Sequence, residues 1–156
     1  KAETILILPD IRSAYNVGAI FRTADAVGIS KIYLCGITPL PVDKFGRARA
    51  DIAKAALGAE KSVPWEARRM LAPLLRSLKK DGYTICAIEQ LPDSIDYKKV
   101  RLSKKAAIIL GSETDGVPKS ILKLCDIVAE IPMRGEKESL NVSVAAGVAL
   151  FQLLDC

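Results

Sequence analysis

Asn16 and Arg22 stand six residues apart in a run that is otherwise mostly apolar. Glu113 follows another apolar run directly, and Ser139 and Asn141 open a third, ESLNVSVAAGVALFQLL. Each of these side chains has a limited repertoire. A guanidinium keeps its charge, so Arg22 in such a setting calls for a carboxylate, a phosphate or solvent. A hydroxyl or amide at a helix start can accept from an orphan backbone N–H, which makes Ser139 the expected cap of the last helix and gives Asn16 capping as its simplest role. Capping by Ser139 leaves Asn141 unexplained. Five such groups converging on one edge of a sheet would form a polar site rather than a set of separate caps.

Much other chemistry is excluded. The chain has no histidine, and Cys35, Cys86, Cys125 and Cys156 are far apart with no C-x-x-C pair. A zinc site has no ligand set to draw on, so no metal is expected. A Ser-His-Asp triad, a Cys-His pair and an H-E-x-x-H protease are ruled out for the same reason. Scattered cysteines fit a reducing cytosol, so a cytoplasmic location is expected. The loop GSETDG (Gly111 to Gly116) resembles a phosphate loop only superficially. Val117-Pro118 stands where that loop needs Lys and Ser/Thr. No G-x-G-x-x-G follows a strand, and Asn141-Val142-Ser143 matches a glycosylation acceptor only by accident in a buried helix.

These residues need elements to hold them. At 156 residues the sequence reads as one domain with room for a real core. Thr4 to Leu8, Lys31 to Cys35, Tyr83 to Ile88, Ala106 to Leu110 and Ile127 to Ile131 read as strands, the third and fourth covered on both faces. Val17, Ile20, Phe21, Ala24 and Val27 fall at helical spacing, with Gly28 placed to stop that helix. Asp51 to Leu57 reads as a short helix, and Pro73 begins a clearer one carrying Leu74, Leu75 and Leu78. The last helix keeps only Gln152 and Asp155 polar after Ser143, so it is expected to be buried nearly all round. Alternating elements predict an α/β fold with a mostly parallel sheet flanked by helices. Ligands in such sheets bind beyond the strands' carboxyl ends, which singles out the loops Pro9 to Asn16, Glu89 to Asp96, Gly111 to Gly116 and Pro132 to Asn141.

Net charge is +5, from 23 basic and 18 acidic residues. Lys44, Arg47 and Arg49 share one loop, and Lys98, Lys99, Arg101, Lys104 and Lys105 fall within eight residues. Solvated faces and a polyanionic partner are both open. No run is long enough for a membrane span, and no signal peptide is apparent. The sequence begins at Lys1 rather than methionine, which leaves room for residues upstream.

At the site candidates the chain becomes recognisable. Asn16-Val17-Gly18-Ala19-Ile20-Phe21-Arg22-Thr23-Ala24 with Gly28 resembles the first signature of the SpoU (TrmH-like) RNA ribose methyltransferases. Ile109-Leu110-Gly111-Ser112-Glu113 with Gly116 resembles the second. Ile131-Pro132-Met133 followed by Ser139-Leu140-Asn141-Val142-Ser143 resembles the third, and Lys54 to Glu60 is similar to a segment between the first two.

The resemblance implies the SPOUT fold, whose C-terminal segment is tucked through a loop as a trefoil knot. It implies S-adenosylmethionine as cofactor, held mostly by backbone groups at Leu110, Gly111, Glu113, Ile131, Met133 and Leu140, with Ile88 a further candidate. It implies a homodimer with the last helix at the interface, and methyl transfer to a ribose 2′-hydroxyl of transfer or ribosomal RNA. Asn16, Glu113 and Asn141 would hold the site and Ser139 would position the reacting groups. Arg22 would clamp a phosphate and stabilise charge, and Lys44, Arg47, Arg49 and the Lys98–Lys105 cluster then become candidate RNA backbone contacts. A base-methylating SPOUT enzyme and an RNA-binding protein without turnover remain as alternatives. So do a minimal enzyme and one whose recognition part lies outside this sequence.

Overall fold

The computed structural model describes residues 2–156. One sheet is built from β1 (Glu3–Pro9), β2 (Lys31–Cys35), β3 (Trp65–Arg68), β4 (Thr84–Ile88), β5 (Ile95–Asp96), β6 (Lys105–Leu110) and β7 (Ile127–Glu130). Its order is β3-β2-β1-β6-β4-β7-β5, and every neighbouring pair is parallel. The helices are α1 (Ala14–Val27), α2 (Ala50–Ala56), α3 (Ala59–Ser62), α4 (Leu71–Lys80), α5 (Lys119–Leu122) and α6 (Val142–Leu153), with a 3-10 turn at Tyr97–Lys99.

The strands sort their side chains by alternation. Leu6, Leu8, Ile32, Leu34, Cys86, Ile108 and Leu110 enter a core with Val17, Ile20 and Phe21 of α1 and Ala146, Ala149 and Leu150 of α6. Ile5, Ile7, Tyr33, Ile85, Ala87 and Ile109 face the other way, onto Leu74, Leu75 and Leu78 of α4 and Ile121 of α5. The central strands are thus apolar on both faces, as their continuous apolar runs predict. The short edge strands β3 and β5 escape that reading, because WEAR and ID carry no apolar run.

α1 starts at Ser13, whose hydroxyl accepts from the Asn16 amide at 3.1 Å, and stops at Gly28. Asn16 is therefore not the cap, and its side chain is free for another task. Gly18 lets α1 cross α2 closely: a Cβ there would stand 2.6 Å from the Ile52 carbonyl oxygen. At the carboxyl ends, β1 and β2 are tied by Thr38, which donates to the Leu8 carbonyl at 2.8 Å and accepts from the Ile11 amide at 3.0 Å.

α6 departs from expectation in two ways. Its cap is Asn141, not Ser139: the chain turns helical only at Val142, and the Asn141 side chain accepts from the amides of Ser143 and Val144. Nor is it buried all round, since Val144, Val148 and Phe151 form an exposed apolar stripe. No helix among the described residues is long and apolar enough to cross a membrane.

Candidate active site

Because all strands run the same way, the ends of β4, β6 and β7 open together on one cleft of about 570 Å³. Ile88 ends β4, Leu110 ends β6, and Gly111 to Lys119 form one wall. Ile131, Met133, Ser139 and Leu140, from the chain between β7 and α6, form the other. The structure thus brings Ile88, Leu110, Gly111, Glu113, Ile131, Met133 and Leu140 to one cavity.

The loop after β6 is folded tightly on itself. The Gly116 amide donates to the Ser112 carbonyl at 2.9 Å, and a Cβ on Gly111 would stand 2.7 Å from the Gly116 carbonyl carbon. Gly116 itself has φ +65, the left-handed region that glycine adopts without penalty. Two residues not among the sequence candidates hold this loop in place. Glu89 accepts from the amides of Val117 at 2.9 Å and Gln90 at 3.1 Å, and Gln90 donates from its side chain to the Ile131 carbonyl at 3.3 Å. The pair bridges both walls of the cleft. The signal for them was the one that marked Glu113, a polar residue directly after a buried strand.

Behind Glu113 lies Asn16, nearly fully buried. Its amide donates to a Glu113 carboxylate oxygen at 3.0 Å, and its carbonyl oxygen accepts from the Asn141 amide at 3.4 Å. Asn141 also accepts from the Ser143 hydroxyl at 2.6 Å. The first turn of α1, the loop after β6 and the start of α6 are therefore locked by one amide–amide–carboxylate relay. Ser139 lines the cleft two residues ahead of the cap and is exposed.

Arg22 stands apart from that group. Six residues along a helix is roughly 9 Å of rise and roughly 240° of rotation, so it leaves the helix on a different face from Asn16. It is exposed and forms no hydrogen bond or ion pair among the described residues. Of its three expected partners, the isolated chain offers solvent.

The basic loop residues are partly engaged. Arg47 pairs with Asp43 at 2.9 Å, and Arg49 grips Asp51 through two nitrogens at 3.2 and 2.8 Å. Lys44 lies 5.2 Å from the Phe45 ring centre. Lys104 and Lys105 lie at the amino end of β6, the far end of the sheet from the cleft, so proximity to the site gives them no role there.

The cysteines fit no nucleophile. Burial pushes the Cys35 and Cys86 thiols up to about 12 and Cys125 to about 11. Among the described residues there is no cluster of three or more His, Cys, Asp or Glu placed to hold a metal ion. The cleft instead combines apolar walls (Leu110, Leu122, Ile131, Met133, Leu140, Val142) with the carboxylates of Glu89, Glu113, Asp115 and Glu138. Such a lining suits a flat apolar ring joined to a positively charged group.

Known proteins share this fold. A 23S rRNA (guanosine-2'-O-)-methyltransferase RlmB of Xylella fastidiosa is 38% identical over 148 residues, 95% of this chain and 57% of that protein. An AdoMet-bound rRNA methyltransferase from Sinorhizobium meliloti superposes with a TM-score of 0.86 at 30% identity, over 98% of this chain and 56% of that one. A TrmH/SpoU tRNA modifying enzyme of A. aeolicus also reaches 0.86, at 28% identity, over 99% of this chain and 75% of the other. The chain thus spans a little over half the length of the curated relatives it matches. The profile of the SpoU rRNA Methylase family runs from residue 3 to residue 151, nearly end to end, and the chain belongs to that family.

Proposed function

We propose that the chain, as a single methyltransferase domain over residues 1–156, uses S-adenosylmethionine to methylate a ribose 2′-hydroxyl of RNA. The observation that carries this reading is the cleft: every residue expected to hold the cofactor lines it, and Asn16 holds one of them, Glu113, at 3.0 Å. Relatives at 36–38% identity named as 23S rRNA guanosine 2′-O-methyltransferases favour ribosomal RNA as substrate. The site works in the cytoplasm, where RNA and the reducing milieu of four free thiols coincide.

The cofactor's chemistry, when bound, is an electrophilic methyl group on a sulfonium. The chain's own residues do the rest. Leu110, Ile131, Met133 and Leu140 exclude water from one side, and Gly111 presents backbone where a side chain has no room. The Glu113 carboxylate, held by Asn16, places negative charge at the cleft, complementary to a positively charged group. Ser139 lines the mouth and positions the hydroxyl. Arg22 clamps the RNA phosphate beside the target ribose, with its permanent charge and its fork geometry unspent within the chain.

The stripe of Val144, Val148 and Phe151 supports a homodimer joined through α6. The SPOUT reading also implies a threaded C-terminal segment. The strand order, with β6 between β1 and β4 and β7 between β4 and β5, is compatible with such threading.

The test is transfer of radiolabelled methyl from S-adenosylmethionine to bulk RNA, then nuclease digestion and nucleoside analysis. Label in 2′-O-methylated nucleosides is expected. Label on a base would redirect the chemistry to the base-methylating alternative, and cofactor binding without transfer would favour a binding role.

A further inference from the structure

A second cleft, of about 490 Å³, opens at the carboxyl ends of β2 and β3. Its walls come from the loop after β2, including Val42, Asp43, Lys44 and Arg49, and from Arg68 and Arg69 at the end of β3. Parallel strands put it on the same edge of the sheet as the first cleft. The ends of β2 and β6 are two strand spacings apart, about 10 Å, separated only by the end of β1. Arg12, exposed in the loop that follows β1, occupies that gap.

The loop after β2 is built to hold one aromatic ring in solvent. Asp43 accepts from the amides of Phe45 at 2.8 Å and Arg47 at 2.9 Å, and its own amide donates to the Arg47 carbonyl at 2.8 Å. A bridge between Val42 and Ala48 closes the loop's base. The fixed turn leaves Phe45 69% exposed, with the Lys44 ammonium 5.2 Å and the Arg47 guanidinium 5.0 Å from its ring centre. An apolar ring that a rigid turn keeps out of the core, flanked by two cations, matches how single-stranded nucleic acid is bound: bases stack on aromatics while cations follow the phosphates. Arg69 adds an exposed cation with no ion pair among the described residues.

We propose that this second cleft and the loop that borders it form a nucleotide subsite for single-stranded RNA flanking the methylated residue, with a base stacked on Phe45 beside the cleft and phosphates held by Lys44 and Arg69. It rests on the RNA-methylation reading and extends it: the strand that presents its ribose at the first cleft continues over Arg12 to the second. Stacking on a π face tolerates any base, so the subsite sets register and affinity more than sequence.

The test measures binding of labelled oligo(rU) and oligo(rA) to the intact chain, with S-adenosylmethionine affinity followed separately by calorimetry. Phe45→Ala should weaken both oligonucleotides about tenfold, as expected for one lost stack, and leave cofactor affinity unchanged. Phe45→Leu should behave like alanine, because it keeps apolar bulk without the π face. Phe45→Trp should restore binding and show fluorescence quenching on titration, beyond any change of Trp65 in the wild type. Arg69→Ala should lower the slope of log affinity against log salt by about 0.7. Wild-type affinity in Phe45→Ala, or no quenching in Phe45→Trp, would overturn the subsite. So would failure of the wild type to bind either oligonucleotide while it still methylates bulk RNA, an outcome that leaves the ribose reading standing. Absence of both oligonucleotide binding and methyl transfer would sink the two together.

Discussion

Asn16 and Glu113, 97 positions apart, meet through an amide–carboxylate hydrogen bond of 3.0 Å beside the cleft that Glu113 lines. The amide is buried and the carboxylate is exposed, so the bond carries a charge's position from the interior to the surface. Because Asn16 also accepts from Asn141, one side chain sets both the loop after β6 and the start of α6. Asn16→Asp would place a second carboxylate against Glu113 and remove the donor. A stability loss of about 2 kcal/mol in urea denaturation at neutral pH is expected, partly recovered on acidification, because two facing carboxylates raise each other's pKa. Wild-type stability would mean that the contact does not organise the site.

Arg22 tests the chemistry rather than the fold. It is exposed and unpaired within the chain, so Arg22→Lys should leave the melting temperature and cofactor affinity nearly unchanged. The methyl-transfer rate should nevertheless fall by two orders of magnitude or so, since lysine keeps the charge but loses the bidentate fork. Near-normal turnover would contradict a phosphate clamp.

The sequence carried the central strands, α1 and α4 legibly, because continuous apolar runs and the 3.6 period are local signals. It also singled out Ile88, Leu110, Gly111, Glu113, Ile131, Met133 and Leu140, which share one cleft. What it could not carry was direction. Asn16 and Arg22 belong to one signature, yet helix geometry sends them to different faces. Ser139 seemed the better cap because serine caps helices often, but the chain becomes helical only at Val142, which hands the role to Asn141. Glu89 carried the same signal as Glu113, a polar residue directly after a buried strand, but its role was not legible because its partners, Val117 and Gln90, contribute backbone amides.

Glu89 is accordingly the positioning residue most worth testing. In Glu89→Ala the buried Val117 amide loses its acceptor, at a cost of about 1–3 kcal/mol. The loop from Gly111 to Val117 should loosen and S-adenosylmethionine affinity should drop about tenfold or more, the equivalent of 1.4 kcal/mol. Glu89→Gln retains a carbonyl oxygen that can accept from Val117, so it should recover most of the affinity in calorimetry. If glutamine is as damaged as alanine, the carboxylate's charge matters and the loop-pinning account fails.

The buried thiols predict how stability responds to alkali. Burial raises Cys86 from its ordinary 9.0 to about 12, and Cys35 likewise. Above pH 9 the unfolded chain releases these protons while the native chain keeps them, so unfolding is favoured as pH rises. The stability is complete below about 9 and is lost progressively up to about 12. Each such thiol contributes about 1.4 kcal/mol per pH unit in that window. Cys86→Ala should therefore show a shallower decline by about that amount when urea stability is measured across it. In the native protein at neutral pH a thiol reagent should label exposed Cys156 first and reach Cys35 and Cys86 only on unfolding.

The apolar stripe on α6 predicts assembly. Val144, Val148 and Phe151 are 50%, 37% and 44% exposed and recur at spacings of four and three, so they share one helix face. On the opposite face Ala146, Ala149 and Leu150 are fully buried, which fixes the helix so that the stripe must point outward. A helix this apolar gains nothing from solvent on its second face, and a copy of itself related by a twofold axis would cover it with matching chemistry. Wild-type chain should sediment as a dimer with a melting temperature that rises with concentration. Phe151→Glu should give a folded monomer by sedimentation and circular dichroism, because it buries an unpaired charge only if the dimer forms. A wild-type chain that stays monomeric at every concentration would leave the stripe without a partner of its own kind and remove the homodimer from the proposed function.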